Sequence, residues 1–316
     1  MSICIPNCND REVLGDLLES LQKVSDTSSI EVIVVDNGSA DGSAEMVRQR
    51  FPWVKLIAND RNVGFAGANN QAARVALGRM LYFLNNDTVV PSGSTDTLVR
   101  FLDEHPEASA VGPQLMYPDG SIQPSCRNLL SLGALLHDQV RLLRWIGLFR
   151  SADRRHRKVK LKPGRTVEVE IMAGAALLVK REVYQTCGGW DEGFPFGYED
   201  ADLCIRLRAR GALFYNGGAQ VTHLRGVFSK ANVPFVYSTY HFGCARYLRK
   251  HHPSRWAAPL YKLLATIDVP FIILDDAIVG IASALAGKRE RASNKFRHLS
   301  AAVAFLRRDL WRFWMS

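Results

Sequence analysis

The sequence predicts an α/β protein whose open, mostly parallel β-sheet is flanked by helices, because strand and helix patterns alternate along its first hundred residues. Two short apolar runs, 2–6 and 31–35, have the composition of buried parallel strands. Between them, residues 11–24 place apolar side chains at helical spacing, which completes a β-α-β unit. Ligands of such sheets bind at the carboxyl ends of the strands, so polar residues there are candidates for a site.

The alternation continues beyond this unit. The next predicted elements are a helix to about residue 50, a strand over 54–58, a helix over 70–77 and a strand over 80–84. Beyond residue 110 the pattern predicts a strand over 111–116, a turn at 118–120, and either a hairpin strand or an extended excursion over 121–125. Later we expect a mobile basic loop over 150–165, strand and packed-helix character over 167–179, a strand over 213–221, and a helical extension from His241 onward.

The formal charge of +9 is concentrated in two basic blocks, 141–165 and 246–312. Both blocks adjoin apolar runs, which favours an anionic membrane surface, and no recognisable nucleic-acid motif is present. Asp275 and Asp276 interrupt the longer run, 269–287, so an interfacial or buried helix is expected there instead of a bilayer span. The alternative is that these blocks are solvated faces.

The termini and cysteines predict the compartment. The first ten residues lack a basic segment followed by an apolar one, so no signal peptide is expected, and the chain opens within its first strand. Six cysteines occur without a CxxC pair, which is typical of reduced thiols. A cytoplasmic protein, peripheral on the inner face of the cell membrane, is therefore expected.

The segment 188–206 carries the strongest chemical signal in the chain. Its glycines permit close ligand approach, and its aromatic side chains offer flat surfaces for a sugar ring. The pattern then becomes helical at Glu199 and Asp200, where a helix N-terminus favours ionised carboxylates. Asp200 is a candidate general base, although both acids could also serve only as helix caps.

Five motifs in order support a family resemblance. The motifs are Asp36 in VVDNGSADGS, NVGFAGANN over 62–70, Asp87 in FLNNDT, EDADL over 199–203, and His223 in VTHLRG. Together they resemble family 2 glycosyltransferases of the GT-A fold, particularly the bacterial rhamnosyltransferase-like branch, and the resemblance covers roughly residues 1–230.

The resemblance implies a donor site for a nucleotide-sugar. Asp36 corresponds to the residue that accepts a hydrogen bond from the pyrimidine N3–H, and Pro6 and Asn9 would line the base pocket. The remaining residues expected to bind nucleotide are Asn62, Gly64, Asn70 and Asn86. A plain strand-to-helix turn is the alternative reading of 62–70.

A divalent cation, Mg²⁺ or Mn²⁺, is expected because the departing diphosphate needs its charge neutralised. The resemblance assigns Asp87 and His223 as metal ligands. Asn85 stands where the family motif has its first acid, which leaves less protein charge on the metal. His223 could instead be a buried structural histidine at a strand end.

The resemblance further implies an inverting reaction. Asp200 would act as general base, and Glu199 would orient the acceptor. The residues expected around the sugar and acceptor are Gly174, Trp190 and Asp191.

The predicted function is transfer of L-rhamnose from dTDP-rhamnose, or of a sugar from a UDP-linked donor, to a saccharide or polyprenyl-diphosphate-linked acceptor in cell-surface polysaccharide synthesis. Residues 1–110 would bind donor, 111–240 would hold acceptor and catalyse, and 241–316 would form a basic, amphipathic extension. A nucleotidyltransferase is disfavoured, because no Gly-rich basic loop follows the first strand. A catalytically silent module that binds nucleotide-sugars remains an alternative.

Overall fold

The structure, a computed structural model, describes residues 1–25, 30–159, 161–224 and 232–316. The chain divides into two compact units. The sheet unit comprises Met1–Asn128, Val159–Gly193 and Glu199–Arg225. The helical unit comprises Leu129–Lys158, Phe194–Tyr198 and Gly226–Ser316.

The strands all lie in the sheet unit. They are β1 (Ser2–Asn7), β2 (Glu31–Asp36), β3 (Lys55–Ala58), β4 (Met80–Leu84), β5 (Thr88–Val89), β6 (Ala108–Met116), β7 (Cys126–Arg127), β8 (Thr166–Val169), β9 (Ile171–Met172), β10 (Ala176–Lys180) and β11 (Ala212–His223).

The helices occur in both units. They are α1 (Arg11–Ser25), α2 (Ser43–Arg50), α3 (Gly64–Val75), α4 (Ser94–Glu104), α5 (Leu132–Gln139), α6 (Arg141–Trp145), α7 (Arg150–Arg157), α8 (Arg181–Thr186), α9 (Glu199–Arg208), α10 (Val233–His251), α11 (Ala257–Leu285), α12 (Arg289–Ala304) and α13 (Leu310–Met315), with a π-helical turn at Phe305–Asp309 between the last two.

The described residues form one large sheet in the order β3-β2-β1-β4-β10-β6-β11-β5, with β8 also paired to β11. Strands β1, β2, β3, β4, β6 and β11 run in one direction, and β5, β8 and β10 run in the other. The predicted α/β fold with a mostly parallel sheet is thereby confirmed. The carboxyl ends of β1 and β2 meet in register, with Asn7 opposite Asp36.

The first β-α-β unit forms as its hydrophobic pattern predicts. Ile3 and Ile5 of β1 and Val32 and Val34 of β2 are buried, and Leu14 lies on the buried face of α1. Burial of each such side chain contributes roughly 1.5–3 kcal/mol relative to exposure.

Helix α3 begins earlier than the sequence suggests. The helix expected over 70–77 occupies Gly64–Val75, so most of the expected turn over 62–70 is helical. The reason is packing: Ala66, Ala68 and Ala72 are small and buried, and they let the helix approach β1 and β2 closely.

Two further expectations are corrected. The basic loop over 150–165 contains helix α7, in which Arg157 pairs with Asp153 at 2.7 Å and His156 is buried; residue 160 lies outside the described residues. The segment 167–179 holds strands β8, β9 and β10 without a packed helix, because β10 inserts between β4 and β6 and both its faces are covered.

The turn at 118–120 is present, with the Tyr117 amide bonded to the Ser121 carbonyl at 2.8 Å. Of the two alternatives for 121–125, the extended excursion is found, since only a single bridge joins Met116 and Ile122.

The helical unit is organised around helices α10, α11 and α12, which pack on one another. Aromatic rings form its centre: His241 lies 5.1 Å from Phe305 and 6.0 Å from Phe313, centroid to centroid. The helical C-terminal extension is thus confirmed, and it begins at Val233, a few residues before the predicted start.

Candidate active site

The carboxyl ends of β1 and β2 hold a hydrogen-bonded polar group. Asp36 is buried, and its two carboxylate oxygens accept from the Asn7 side chain at 3.1 Å and from the Ser39 amide at 2.9 Å. Pro6, one residue before Asn7, pairs with Val35 across the sheet. The carboxylate of Asp36 is therefore held in one orientation at the strand end, where α/β sheets bind ligands.

The loop after β1 is fixed by its own asparagine. Asn9 adopts a left-handed backbone with a φ of 58°. Its amide donates to the Ser39 hydroxyl at 2.9 Å, and its side-chain oxygen accepts from the Ala40 amide at 2.8 Å. These bonds join the loops that follow β1 and β2.

The loop that precedes α3 lies at the same edge of the sheet, next to the carboxyl end of β2. The side-chain oxygen of Asn62 accepts from the Gly64 amide at 2.8 Å, and Gly64 has a φ of 83°. Asn37, which follows β2, donates to the Gly64 carbonyl at 3.3 Å. A Cβ at Gly64 would meet no atom within 4 Å, so the backbone there is open to approach.

The loop after β4 is bonded to the end of β1 and to the loop that follows β1. Asn86 donates to the Asn7 side-chain oxygen at 2.8 Å and to an Asp10 carboxylate oxygen at 3.2 Å. The pKa of Asp10 is raised, chiefly by burial, and the nearby charges of Asp87 and Asp41 raise it further. The site is thus locally acidic.

Asp87 and His223 face each other at the end of β11. Both are buried, and Asp87 Oδ1 lies 3.2 Å from His223 Nε2. His223 Nδ1 lies 2.7 Å from Gln123 Oε1, and an amide oxygen there requires Nδ1 to carry the hydrogen. The Nε2 lone pair then points at a carboxylate, an arrangement that needs a proton or a cation between the two atoms.

The donor set fits a hard divalent cation. Asn85 places its side-chain nitrogen 3.5 Å from His223 Nε2, while its buried Oδ1 has no hydrogen-bond partner among the described residues. That oxygen, the Asp87 carboxylate and the imidazole are the atom types that Mg²⁺ or Mn²⁺ accepts. No cluster of three His, Cys, Asp or Glu side chains suited to a metal occurs in the described ranges.

The loop before α9 is anchored by Asn70. Its side-chain nitrogen donates to the Trp190 carbonyl at 2.9 Å and to Glu192 at 2.8 Å, and its oxygen accepts from the Trp190 amide at 3.0 Å and the Tyr184 hydroxyl at 2.5 Å. Asn70 therefore positions Trp190. Asp191 caps the turn that follows, accepting from the Gly193 amide at 2.9 Å.

Trp190, Gly174 and Asp200 are close neighbours. The Trp190 ring is buried, edge-on to Phe83 at 5.4 Å, and its indole nitrogen has no partner among the described residues. A Cβ on Gly174 would lie 2.9 Å from the Trp190 ring and 3.5 Å from Asp200 Cβ, so only glycine permits this approach.

Glu199 and Asp200 open helix α9, as the sequence predicts. Glu199 is buried, whereas Asp200 is partly exposed and accepts from the Ala201 amide at 2.8 Å. The surrounding protein still desolvates the Asp200 carboxyl and raises its pKa, although backbone donors including Gly174 and the charge of Arg127 oppose that rise. An acid of raised pKa beside an aromatic wall is suited to proton transfer.

The structure therefore brings the predicted residues into three groups: Pro6, Asn9, Asp36, Asn62, Gly64 and Asn86 at the strand ends; Asp87 and His223 as a pair; and Asn70, Gly174, Trp190, Asp191, Glu199 and Asp200 around the later loop. Sequence reasoning missed Asn7, Asn37 and Gln123. Asn7 could have been found as the polar end of the first strand, whereas Gln123 gives no signal in its irregular segment.

The sequence of the chain matches a protein family and several characterised relatives. Residues 2–151 match the model for glycosyl transferase family 2. The N-acetylglucosaminyl-diphospho-decaprenol L-rhamnosyltransferase of Mycobacterium tuberculosis is 30% identical over 249 residues, which are 73% of this chain and 78% of that protein. An O-antigen biosynthesis protein of Myxococcus xanthus is 28% identical over 217 residues, 67% of this chain and 16% of the larger protein.

Solved structures share the fold. A mannosyltransferase from Pyrobaculum calidifontis, in complex with GDP-Man and Mn²⁺, superposes with a TM-score of 0.54 at 16% identity, covering 96% of this chain and 86% of that one. Residues 1–349 of Staphylococcus aureus TarS give 0.52 at 14% identity, covering 97% and 91%. Fold and sequence together define an enzyme of the glycosyltransferase class with a GT-A fold. The chain belongs to glycosyltransferase family 2, and it is similar to an L-rhamnosyltransferase of that family.

Proposed function

We propose that this enzyme transfers L-rhamnose from dTDP-rhamnose to a saccharide carried on a polyprenyl diphosphate, with inversion at the anomeric carbon. The observation that carries the proposal is 30% identity over 249 residues to an L-rhamnosyltransferase whose name specifies an N-acetylglucosaminyl-diphospho-decaprenol acceptor. The chemistry of the candidate site supports a pyrimidine donor, a divalent cation and a general base.

The donor base would bind at the ends of β1 and β2. Asp36 is held by Asn7 and Ser39, so its carboxylate is oriented without help from ligand. A carboxylate can accept the N3–H of thymine or uracil, while cytosine, which lacks that hydrogen, would be refused. This supports a dTDP- or UDP-linked donor, and Pro6 and Asn9 would line the same pocket.

A divalent cation would be held by Asp87 and His223, with the Asn85 side-chain oxygen as a further neutral donor. When bound, it would neutralise charge that develops on the departing diphosphate. The chain's own contribution is to keep the His223 Nε2 lone pair available, since Gln123 occupies the opposite ring nitrogen.

Asp200 is proposed as the base that removes the proton of the acceptor hydroxyl. Its raised pKa makes it a better proton acceptor than an ordinary aspartate, and it lies beside the buried ring of Trp190, which would form the floor of the sugar and acceptor site. Glu199, Gly174 and Asp191 would shape the acceptor side. Direct attack by the acceptor on the anomeric carbon gives inversion.

The proposed division of labour places donor binding in residues 1–110, and acceptor binding and catalysis in 111–240. The second candidate is a silent module that binds nucleotide-sugars, favoured by one observation: Asn85 replaces an acid in the metal motif. Such a module would keep the donor pocket but would not require an oriented Asp200.

The decisive experiment is calorimetry with dTDP, UDP, GDP and dTDP-rhamnose, with and without Mn²⁺, followed by turnover of Asp200→Asn. A pyrimidine preference that depends on Mn²⁺ is expected, and Asp200→Asn should lower kcat by about 10²-fold or more with donor affinity kept. Asp16→Asn, an exposed acid on α1, is the matched control. Donor binding with no turnover in any acceptor screen would favour the silent module, and no nucleotide binding would refute both.

A further inference from the structure

One face of helix α11 is apolar and exposed along most of its length. The exposed fractions of Leu274, Ile278 and Ile281 are 60%, 57% and 55%. These side chains repeat at spacings of three and four, so they lie on one side of the helix. The exposed apolar members of this face, which we call the α11 face, are Leu260, Leu263, Ile267, Leu274, Ile278, Ile281 and Leu285. They extend over about 38 Å, at 1.5 Å per residue.

The charged side chains of α11 are bonded to other parts of the helical unit. Asp276 is fully buried and accepts from Arg141 and from Lys295, each at 2.6 Å. Asp268 is also buried and accepts the Arg141 and Leu142 amides at 2.6 and 2.7 Å.

The other two charged side chains of α11 are also bonded within the helical unit. Asp275 pairs with Arg141 at 2.8 Å, and Lys262 donates to the Ser316 carbonyl at 2.9 Å. Helix α11 thus points its charges inward and its aliphatic groups outward, the reverse of an ordinary surface helix.

Tryptophans lie beside the α11 face. Trp145, 76% exposed, has its ring 6.0 Å from Phe271 of α11, and Trp256, 66% exposed, immediately precedes the helix. Trp314, 42% exposed, donates to Thr266 of α11 at 3.1 Å. Indole rings with an apolar body and one polar group are enriched where hydrocarbon meets water.

The charge of the chain is divided unevenly between the two units. The helical unit has 21 Lys and Arg against 7 Asp and Glu, a formal charge of +14. The sheet unit has 19 against 24, a formal charge of −5. The exposed apolar face therefore belongs to a strongly cationic unit.

We propose that the α11 face docks on an anionic lipid surface, with the helix lying in the plane of the interface. Aliphatic side chains would enter the acyl boundary, the tryptophans would lie at headgroup depth, and the cationic unit would be attracted to acidic phospholipid. A second copy of this chain is a poorer occupant, because two units of charge +14 repel each other.

In the parts of the chain that the structure describes, no helix has the length and apolar character needed to cross a bilayer. The inference is independent of the proposed donor and acceptor, since it uses only the surface of the helical unit.

The test is flotation of the full chain with vesicles of phosphatidylcholine alone or mixed with phosphatidylglycerol. The wild type should float with the mixed vesicles, float less with the neutral ones, and lose binding as salt is raised. The triple variant Leu274→Gln, Ile278→Gln, Ile281→Gln should lose at least about tenfold in affinity for the mixed vesicles. These side chains are exposed, so far-ultraviolet circular dichroism and dTDP binding should stay unchanged.

The matched control is Leu77→Gln, since Leu77 of the sheet unit is 81% exposed and should not affect flotation. The proposal is overturned if the wild type binds neither vesicle, or if the triple variant floats as the wild type does. It is also overturned if the wild type elutes as a dimer that the triple variant abolishes while flotation is unaltered, because a second copy then covers the face.

Discussion

The imidazole of His223 is oriented by a side chain a hundred positions earlier in the chain. Gln123 contacts Nδ1 at 2.7 Å, and its own nitrogen donates to the His223 carbonyl at 3.4 Å, which fixes the direction of the amide. A hydrogen bond to one ring nitrogen orients the imidazole so that the other nitrogen can bind a metal, and loss of such a bond typically lowers metal affinity 10–100-fold.

Replacing this amide is the first prediction. Gln123→Met keeps the volume but removes the acceptor, so His223 can rotate or change tautomer. Affinity for Mn²⁺ in the presence of dTDP should fall about 10–100-fold, as measured by calorimetric titration. Gln114→Met is the control, because Gln114 is equally buried and bonds Tyr215 at 2.8 Å instead. Unchanged Mn²⁺ affinity in Gln123→Met would contradict the assignment of His223 as a metal ligand.

A second prediction concerns the pH dependence of turnover. A base must be ionised to act, and burial raises the pKa of Asp200, so kcat/KM should rise with pH through a value above the ordinary aspartate pKa of about 3.9. Arg127 opposes that rise, so Arg127→Met should move the acidic limb to higher pH. Arg208→Met, which removes a partner of Glu170, should leave the limb in place. An acidic limb at the ordinary value in all three proteins would contradict the assignment.

The sequence identifies candidate site residues where a strand end or a helix start gives them a pattern. Asp36, Asp87 and Asp200 are candidates of this kind, since each lies within three residues of a predicted strand end or helix start. Asn37 and Gln123 are not, because their roles come from contacts with residues far along the chain. Periodicity reports which face a residue occupies, and it carries no information on which distant side chain that face meets.

At the level of elements, helix α10 places a titratable ring inside the aromatic core of the helical unit. His241 is buried and bonds the Tyr261 hydroxyl at 2.6 Å. Burial lowers its pKa from 6.5 to about 4, since the charged form cannot be solvated there.

The third prediction is acid sensitivity of this core. Between pH 6.5 and about 4 the unfolded chain binds a proton that the folded His241 refuses, so stability falls as pH is lowered through that range, by at most about 3 kcal/mol. Thermal unfolding at several pH values should show the loss, and His241→Gln should flatten it. His298, whose pKa is also lowered chiefly by burial, adds to the same slope. His105→Gln, in an exposed pair, is the control, and an equal slope in His241→Gln would disprove the role of His241.

The elements that the sequence mispredicts share a cause. Helix α7 has few apolar residues, and ion pairs such as Arg157 with Asp138 stabilise it, so hydrophobic periodicity does not reveal it. The first turns of α3 resemble a loop because glycine and alanine dominate them, yet the same small residues pack closely on β1 and β2. In both cases tertiary contacts override local propensity.

For the whole molecule, the distribution of charge decides how an anionic donor can bind. The sheet unit contains the proposed donor site and carries a formal charge of −5. A nucleoside diphosphate would bring further negative charge close to Asp10, where burial raises the carboxyl pKa and the charges of Asp87 and Asp41 raise it further. Donor binding should therefore depend on a cation to offset repulsion as well as to supply contacts.

This reasoning gives the last prediction, on dTDP binding measured by calorimetry in three media. Without divalent cation the affinity should be low and should rise with added salt, which screens repulsion; Mn²⁺ should raise it about tenfold or more. Asp87→Asn separates repulsion from coordination: it removes one negative charge, so metal-free binding should tighten, while the gain from Mn²⁺ should disappear. Asp103→Asn, which also removes one charge but lies at the Arg79 pair, should keep the gain. If metal-free affinity falls with salt, attraction to cationic side chains governs donor binding, and the metal has no electrostatic deficit to correct.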